Sequence, residues 1–273
     1  MAKKKILYVT DLYYQAQKRT YCEEDIYITK SLRQDFDLIL CHPCDTKAFE
    51  GMVDGIIFRN SGPTLYYKQA YEDFKKRARS QKLKVYNPLT GKADMEGKQY
   101  LLDLFRQGLP VIPTIDQADD LDKLQACETY VKKLKDGADS IGMEFIPAAD
   151  LGQVDFGNIL LQPKIDFLYE VSFFFIDNDF QYAIYAPNKD ERWKLEPYEA
   201  TERDLEFART FIRWNDMAHG IQRVDGCRTA DGDLLLVELE DLNPYLSLSL
   251  ISDEAQADFV ENFRNSLHKF LKD

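Results

Sequence analysis

Short apolar runs alternate with charged, amphipathic stretches through the first 86 residues, and this alternation restricts the fold more than any other feature of the chain. The run ending at Asp11 ("KILYVTD", a strand expected over 4–10), "DLILC", "VDGIIF" and "LKVYN" all have strand length. "CEEDIYITKSLRQDF" repeats apolar groups at helical spacing through Ile26, Ile28 and Leu32, and "YYKQAYEDFKKRARSQ" is a charged amphipathic helix. Such alternation predicts a parallel sheet covered by helices, an α/β unit. The first run is not followed by G-x-G-x-x-G, and no G-x-x-x-x-G-K-[ST] occurs, which disfavours a Rossmann dinucleotide site and a Walker-type NTPase.

The polar connector "NPLTGKADMEGK" (87–98) holds the first expected boundary, which divides a unit over 1–92 from one over 93–165. In the second unit, "KQYLLDLFRQG" reads as a helix closed by Gly108 and "LPVIPT" as a strand between prolines. "KLQACETYVKKLKDGADSIGMEFI" predicts a short helix, the strand "TYVKKL" and a glycine-bearing loop over 136–142; "NILLQPKI" is a buried strand. The unit over 166–273 changes to an antiparallel, α+β pattern. "YEVSFFFIDNDFQYAIYA" is two strands around an Asn-Asp turn, with Glu170 and Ser172 on one face. "ERDLEFARTFIRWNDMAHG" is an amphipathic helix with Leu205, Ala208, Phe211 and Ile212 inward and Gly220 as its stop. In the last helix Phe259, Val260, Phe263, Leu267 and Phe270 form an apolar stripe read as core.

Charge narrows the partners. With 47 acidic and 35 basic residues the formal net charge is −12, so a nucleic acid or an anionic membrane surface is an unfavourable partner. No apolar run reaches membrane-spanning length. Five cysteines scattered along the chain argue against a disulfide framework and for the cytoplasm. "CHPC" (41–44) lacks a second Cys/His pair at usable spacing, and reads as a strand end turning at Pro43 rather than a zinc site.

The chemistry concentrates in "RVDGCRTADGDLLLVELEDLNPYLSL". Asp231-Gly232 predicts a two-residue hairpin turn, which sets Ala230 opposite Asp233, Asp225 opposite Glu238 and Arg223 opposite Glu240. Three converging carboxylates repel unless cations compensate them, and a hard metal ion with oxygen ligands is the usual compensation. Asn243 offers a further oxygen. The spacing is equally compatible with an edge salt bridge between Glu240 and Arg223, with Glu238 facing water.

These residues resemble the C-terminal magnesium motif of ATP-grasp ligases, the group that includes glutathione synthetases, D-alanine–D-alanine ligases and amino-acid and peptide ligases. The resemblance continues in order over 87–250. "NPLTGKADMEGKQYLLDLF" with "GLPVIPT" is similar to the family's connector, first lysine, helix and central strand. "YVKKLKDGADSIGMEFI" is similar to its second lysine strand and phosphate loop, "NILLQPKI" to the strand along the adenine, and "PNKDERWKLEP" to a stretch whose arginine faces the phosphates. The resemblance implies an ATP-grasp fold, with an N-terminal parallel α/β domain and two α+β subdomains clasping ATP. It implies Lys98 and either Lys132 or Lys133 on the phosphates, Ser140 and Gly142 in the phosphate loop, and backbone groups of Gln162, Pro163 and Lys164 at the adenine edge. Glu170 would approach the ribose or a substrate amine, and Arg192 and Arg223 would neutralise the transferring phosphoryl group. Asp225, Glu238, Glu240 and Asn243 would hold Mg²⁺, with Mn²⁺ as an alternative ion. The implied activity is ATP-dependent joining of a carboxylate to an amine through an acyl phosphate. The alternatives are a thiol or hydroxyl acceptor and a nucleotide-binding module without turnover. The implied partners are ATP and small carboxylate and amine substrates, in a chain for which a homodimer is an allowed assembly. Loops 59–65, with Arg59 and Asn60 able to hold a carboxylate or cap a helix, and 187–201 would shape the substrate pocket.

Overall fold

The computed structural model describes residues 2–16, 19–59, 64–137 and 142–272. The expected parallel sheet forms with β1 (Lys4–Val9) inside it. β2 (Phe36–Cys41) pairs on one side of β1 and β3 (Gly55–Phe58) on the other, with β4 (Val85–Tyr86) beyond β3. Ile6 to Val9 are buried on both faces because helices cover the sheet. Of these, α1 (Cys22–Leu32) buries Ile28 and Leu32, while Ile26 is 54% exposed. Positions 26 and 28 lie about 200° apart on a helix, so one stripe cannot hold both; Asp25 and Thr29 share the inner face instead. α2 (Lys68–Gln81) buries Tyr71, Phe74 and Ala78.

Arg59, directly after β3, is 1% exposed and forms the polar centre of this unit. Its Nη2 donates to Glu24 Oε1 at 3.2 Å, its Nε lies 3.5 Å from Asp25 Oδ1, and its Nη1 donates to the Pro244 carbonyl at 2.9 Å. Glu24 Oε1 also accepts the Leu246 N–H at 2.9 Å, and Asp25 accepts the Tyr8 and Thr10 hydroxyls at 2.8 and 2.7 Å. A segment almost 200 residues downstream is thus fixed to the first sheet by one buried ion cluster. CHPC follows the expectation: β2 ends at Cys41 and Pro43 opens a 3₁₀ turn whose His42 Nδ1 accepts the Cys44 N–H at 3.2 Å.

The remaining chain is antiparallel. α3 (Gln99–Arg106) ends at Gly108, whose φ of 72° lets its N–H and that of Leu109 reach back to Phe105 and Leu104. β5 (Thr129–Leu134) pairs with β6 (Glu144–Pro147) and with β7 (Ile159–Pro163). A five-stranded sheet holds β8 (Phe167–Ile176), β9 (Asp179–Ala186), β10 (Glu196–Pro197), β11 (Ile221–Thr229) and β12 (Leu234–Glu240) in the order β10-β9-β8-β11-β12. α4 (Glu202–Asn215) packs Ala208, Phe211 and Ile212 with Phe173, Phe175 and Leu236 of that sheet. α5 (Asp253–Phe270) inserts its expected stripe between the two main sheets, in one cluster with Ile6, Tyr8 and Phe36 and with Phe174 and Tyr182.

Four local readings are corrected. "LPVIPT" makes only an isolated bridge, Val111 with Leu236, and the next residue, Ile115, another with Leu161, because Pro110 and Pro113 lack the donors of a ladder. No helix forms in "KLQACE"; the helical turn lies upstream, at Ala118–Lys123. The turn between β8 and β9 is Asp177-Asn178, one residue before the Asn-Asp pair. α4 stops at Asp216, which adopts φ 55°, and not at Gly220, where a Cβ would meet Met217 Cε at 2.6 Å.

The hairpin between β11 and β12 departs twice from the expected register. Thr229 N–H donates to Asp233 O at 2.9 Å, so the loop is 230–232, three residues with Gly232 at φ 84°, and Arg228 faces Leu234. A bulge between Asp225 and Gly226 then absorbs Val237 on the partner strand. The two one-residue shifts cancel, and Asp225 faces Glu238 and Arg223 faces Glu240 as the sequence suggested.

Removing the Arg59 guanidinium leaves two buried carboxylates uncompensated. Arg59→Met should lower unfolding free energy by about 3–5 kcal/mol, read from the urea midpoint at constant slope.

Candidate active site

Strand periodicity lays the polar residues in rows across three adjacent strands. Ser172, Asp225 and Glu238 form one row, and Phe174, Arg223 and Glu240 the next. All six line a cavity of about 670 Å³, together with Glu170, Asn243, Lys98 ahead of α3 and Lys133 of β5. Ligand-capable oxygens of Asp225, Glu238 and Glu240 lie within 4.8 Å of one another, and this is the one such cluster among the described residues.

Cations of the chain pair with all three acids. The Arg223 fork places Nε 2.9 and 3.1 Å and Nη2 2.8 Å from the Asp225 oxygens, while Nη2 also donates to Glu240 at 2.5 Å. Burial opposes the arginine's charge, but Asp225 and Glu240 outweigh it and raise its pKa. Lys98 Nζ donates to Glu238. Burial pushes the Glu238 carboxyl up, yet Lys98, Lys133 and Arg223 bring it below its usual value; Lys98 in turn is lowered by burial and raised overall by Glu238. Arg223 pairs with Glu240 as the salt-bridge reading expects and also with Asp225, while Glu238, instead of facing water alone, pairs with Lys98 at the cavity. Clustered carboxylates with an amide carbonyl at Asn243 are an all-oxygen donor set, which fits Mg²⁺ or another hard divalent cation.

Of the paired lysines, Lys133 lines the cavity and Lys132 does not. Alternation along β5 turns Lys133 into the cavity and Lys132 to the other face, where Lys132 Nζ pairs with Glu144 across the ladder at 2.8 Å. Burial, and then the neighbouring Lys98, push the Lys133 ammonium down to about 8. It is a cation with too little negative charge around it, as expected of a site that receives an anion.

Other expected residues divide. Glu170 and Arg192 both line the cavity and pair at 3.0 Å. Gly142 has φ 70° and presses on Leu134, where a Cβ would come within 2.4 Å of Leu134 Cδ1; the adjacent Met143 lines the cavity. Ser140 and Asn60 lie outside the described residues. Gln162, Pro163 and Lys164 are not brought to the cavity. Gln162 is buried with its Nε2 on Thr114 Oγ1 at 2.8 Å, and the Lys164 ammonium sits over the Phe145 ring. The Arg59 guanidinium is engaged by Glu24 and Asp25 and by the Pro244 carbonyl beside Tyr245. Sequence reasoning missed the aromatic part of the wall, Tyr14, Tyr21, Tyr66, Trp193 and Tyr245, although "LYYQ" and "TLYY" advertise it.

No family model matches the sequence, and no curated protein does. Solved structures match over nearly the whole chain. D-cycloserine synthetase DcsG superposes with a TM-score of 0.74 at 20% identity, covering 98% of this chain and 99% of that one. D-alanine–D-alanine ligase from Bacillus anthracis, complexed with ATP, gives 0.67 at 14% identity over 98% and 96%. The ATP-grasp ligase PsnB, complexed with a minimal precursor, gives 0.64 at 14% identity over 98% and 99%. The chain has the ATP-grasp fold. No helix among the described residues is long and apolar enough to cross a membrane.

The depressed Lys133 pKa has a sign that stability reports. Between about 8, where the folded chain loses this proton, and the unfolded value near 10.4, the unfolded state binds more protons, so the residue's penalty fades as pH rises. Lys133→Met should raise the denaturation midpoint at pH 7, and its advantage over wild type should shrink steadily from pH 8 to 10.

Proposed function

We propose that the chain is an ATP- and Mg²⁺-dependent ligase that activates a carboxylate as an acyl phosphate and joins it to an amine. The observation that carries this reading is the single cavity that combines the Asp225, Glu238 and Glu240 oxygens with the Lys98, Lys133 and Arg223 cations. That composition suits a polyanion accompanied by a divalent ion and, among the described residues, includes no histidine or cysteine nucleophile.

Lys98 and Lys133 act as point charges on the nucleotide phosphates, and the raised pKa of Lys98 keeps it charged. Arg223, locked in place by Asp225 and the Tyr245 carbonyl at 3.2 Å, presents a fixed positive field to the phosphoryl group in flight. Arg192 approaches the phosphates from the other side once it leaves Glu170, an exposed pairing that is cheap to break. A substrate carboxylate oxygen attacks the γ-phosphorus and ADP departs; the amine nitrogen then attacks the acyl carbon, phosphate leaves and the nitrogen loses a proton. Asp225, Glu238, Glu240 and Asn243 would hold Mg²⁺, which supplies neutralisation of phosphate charge. The protein contributes position and electrostatics, so an amide-forming reaction needs no covalent enzyme intermediate.

Thermal shift with ATP, with and without Mg²⁺, tests the reading. Ligand at 100 times its dissociation constant should add about 2.7 kcal/mol to stability. Glu240→Gln should leave the fold intact and reduce amine-dependent phosphate release by about two orders of magnitude. Absence of any nucleotide shift, or full turnover in the variant, would refute it.

A further inference from the structure

Beside the carboxylate rows the cavity wall is built of tyrosines: Tyr14 and Tyr21 from the segment after β1, Tyr66 ahead of α2, and Tyr245. Tyr21 stacks on Tyr245 with ring centroids 4.3 Å apart and an interplanar angle of 23°. Tyr14 meets Tyr21 edge-on at 5.0 Å and 86°, and lies 6.2 Å from Tyr66. The group continues directly from the reactive end, since the Tyr245 carbonyl accepts Arg223 Nη1 and its chain is two residues past Asn243. Tyr66 is 65% exposed, so aromatic area stands open to the cavity.

Tyr71, on α2, also lines the cavity and is 4% exposed. The charged neighbours on this wall are engaged elsewhere: Lys68 pairs with Asp136 at 3.2 Å, and Lys75 with Glu72 at 2.9 Å and Glu96 at 3.6 Å.

We propose that this end of the cavity binds one reactant of the ligation, and that this reactant carries a flat, uncharged aromatic side chain; an aromatic amino acid is the smallest molecule of that class. The proposal rests on the ligase reading for the reactive end and adds the substrate class. Stacked and edge-on rings extend by one more ring in the same geometry, with the new ring covering Tyr66 and Tyr14. An anionic side chain would face the negative ring surfaces, with Lys68 and Lys75 already paired to Asp136 and to Glu72 and Glu96, and a small aliphatic one would leave the rings uncovered. The amino acid's own amino or carboxyl group would then lie at the Arg223 end.

Protein loaded with ATP and Mg²⁺ would be titrated separately with phenylalanine, tyrosine, tryptophan, alanine, glutamate and lysine, reading the added thermal shift and the phosphate released. The aromatic amino acids should give the largest added shift. Tyr66→Ala, at an exposed position that folding tolerates, and Tyr21→Ala should each weaken that binding about tenfold. Tyr21→Phe, which keeps the ring, should stay close to wild type, and the ATP shift should be unchanged in all three variants. A preference for alanine, glutamate or lysine, no added shift from any aromatic amino acid, or unchanged binding in both alanine variants would overturn the proposal while the ATP shift upholds the ligase reading. Absence of the ATP shift in wild type would overturn that reading and the proposal with it.

Discussion

The three carboxylates of β11 and β12 can converge only because an arginine and a lysine converge with them. Asp225, Glu238 and Glu240 lie within 4.8 Å of one another, a separation at which carboxylates repel one another. Arg223 between Asp225 and Glu240, and Lys98 on Glu238, offset that repulsion. Lys133 takes part in that balance by helping to lower the Glu238 carboxyl, while burial and Lys98 bring its own ammonium down to about 8.

This electrostatic cluster is assembled from parts far apart in the chain. Lys98 arrives on the connector ahead of α3, the acids on a hairpin near residue 230, and the segment after them is fastened to the first sheet by Arg59 and Glu24. The Arg59 cluster holds both the Pro244 carbonyl and the Leu246 N–H, one on each side of Tyr245. A buried ion cluster of this kind adds little stability over an apolar core, but its directional contacts define where the Asn243–Tyr245 segment sits. Apolar packing joins the same parts, since α5 bridges the parallel and antiparallel sheets in one core.

Local periodicity carried the sequence reading a long way. Period-two alternation in "VELE" and "EVSF", helical spacing in the last helix and the glycine closing α3 are properties of neighbouring residues, and each appears in the structure. The hairpin register came out right at Asp225 and Glu238 only because a three-residue loop and a bulge at Val237 offset each other. Neither is marked in the sequence, because a bulge is set by how a strand must bend to pack on its neighbours. Lys132 and Lys133 are likewise indistinguishable as letters; the register of β5 against β6 decides which one enters the cavity. The Gln162 side chain bonds Thr114 Oγ1, a partner brought close by the irregular segment after α3 that no local pattern announces.

What the sequence determined by itself was therefore the kind of element at each place and the sign and type of the groups available, because these depend on contacts within a few residues. Tertiary structure alone decided that Arg59 serves as a clamp, that Lys133 and not Lys132 meets the acids, and that tyrosines from residues 14, 21, 66 and 245 form one wall. Those outcomes depend on which distant surfaces come together and on how a shared, half-buried dielectric adjusts every charge to its neighbours.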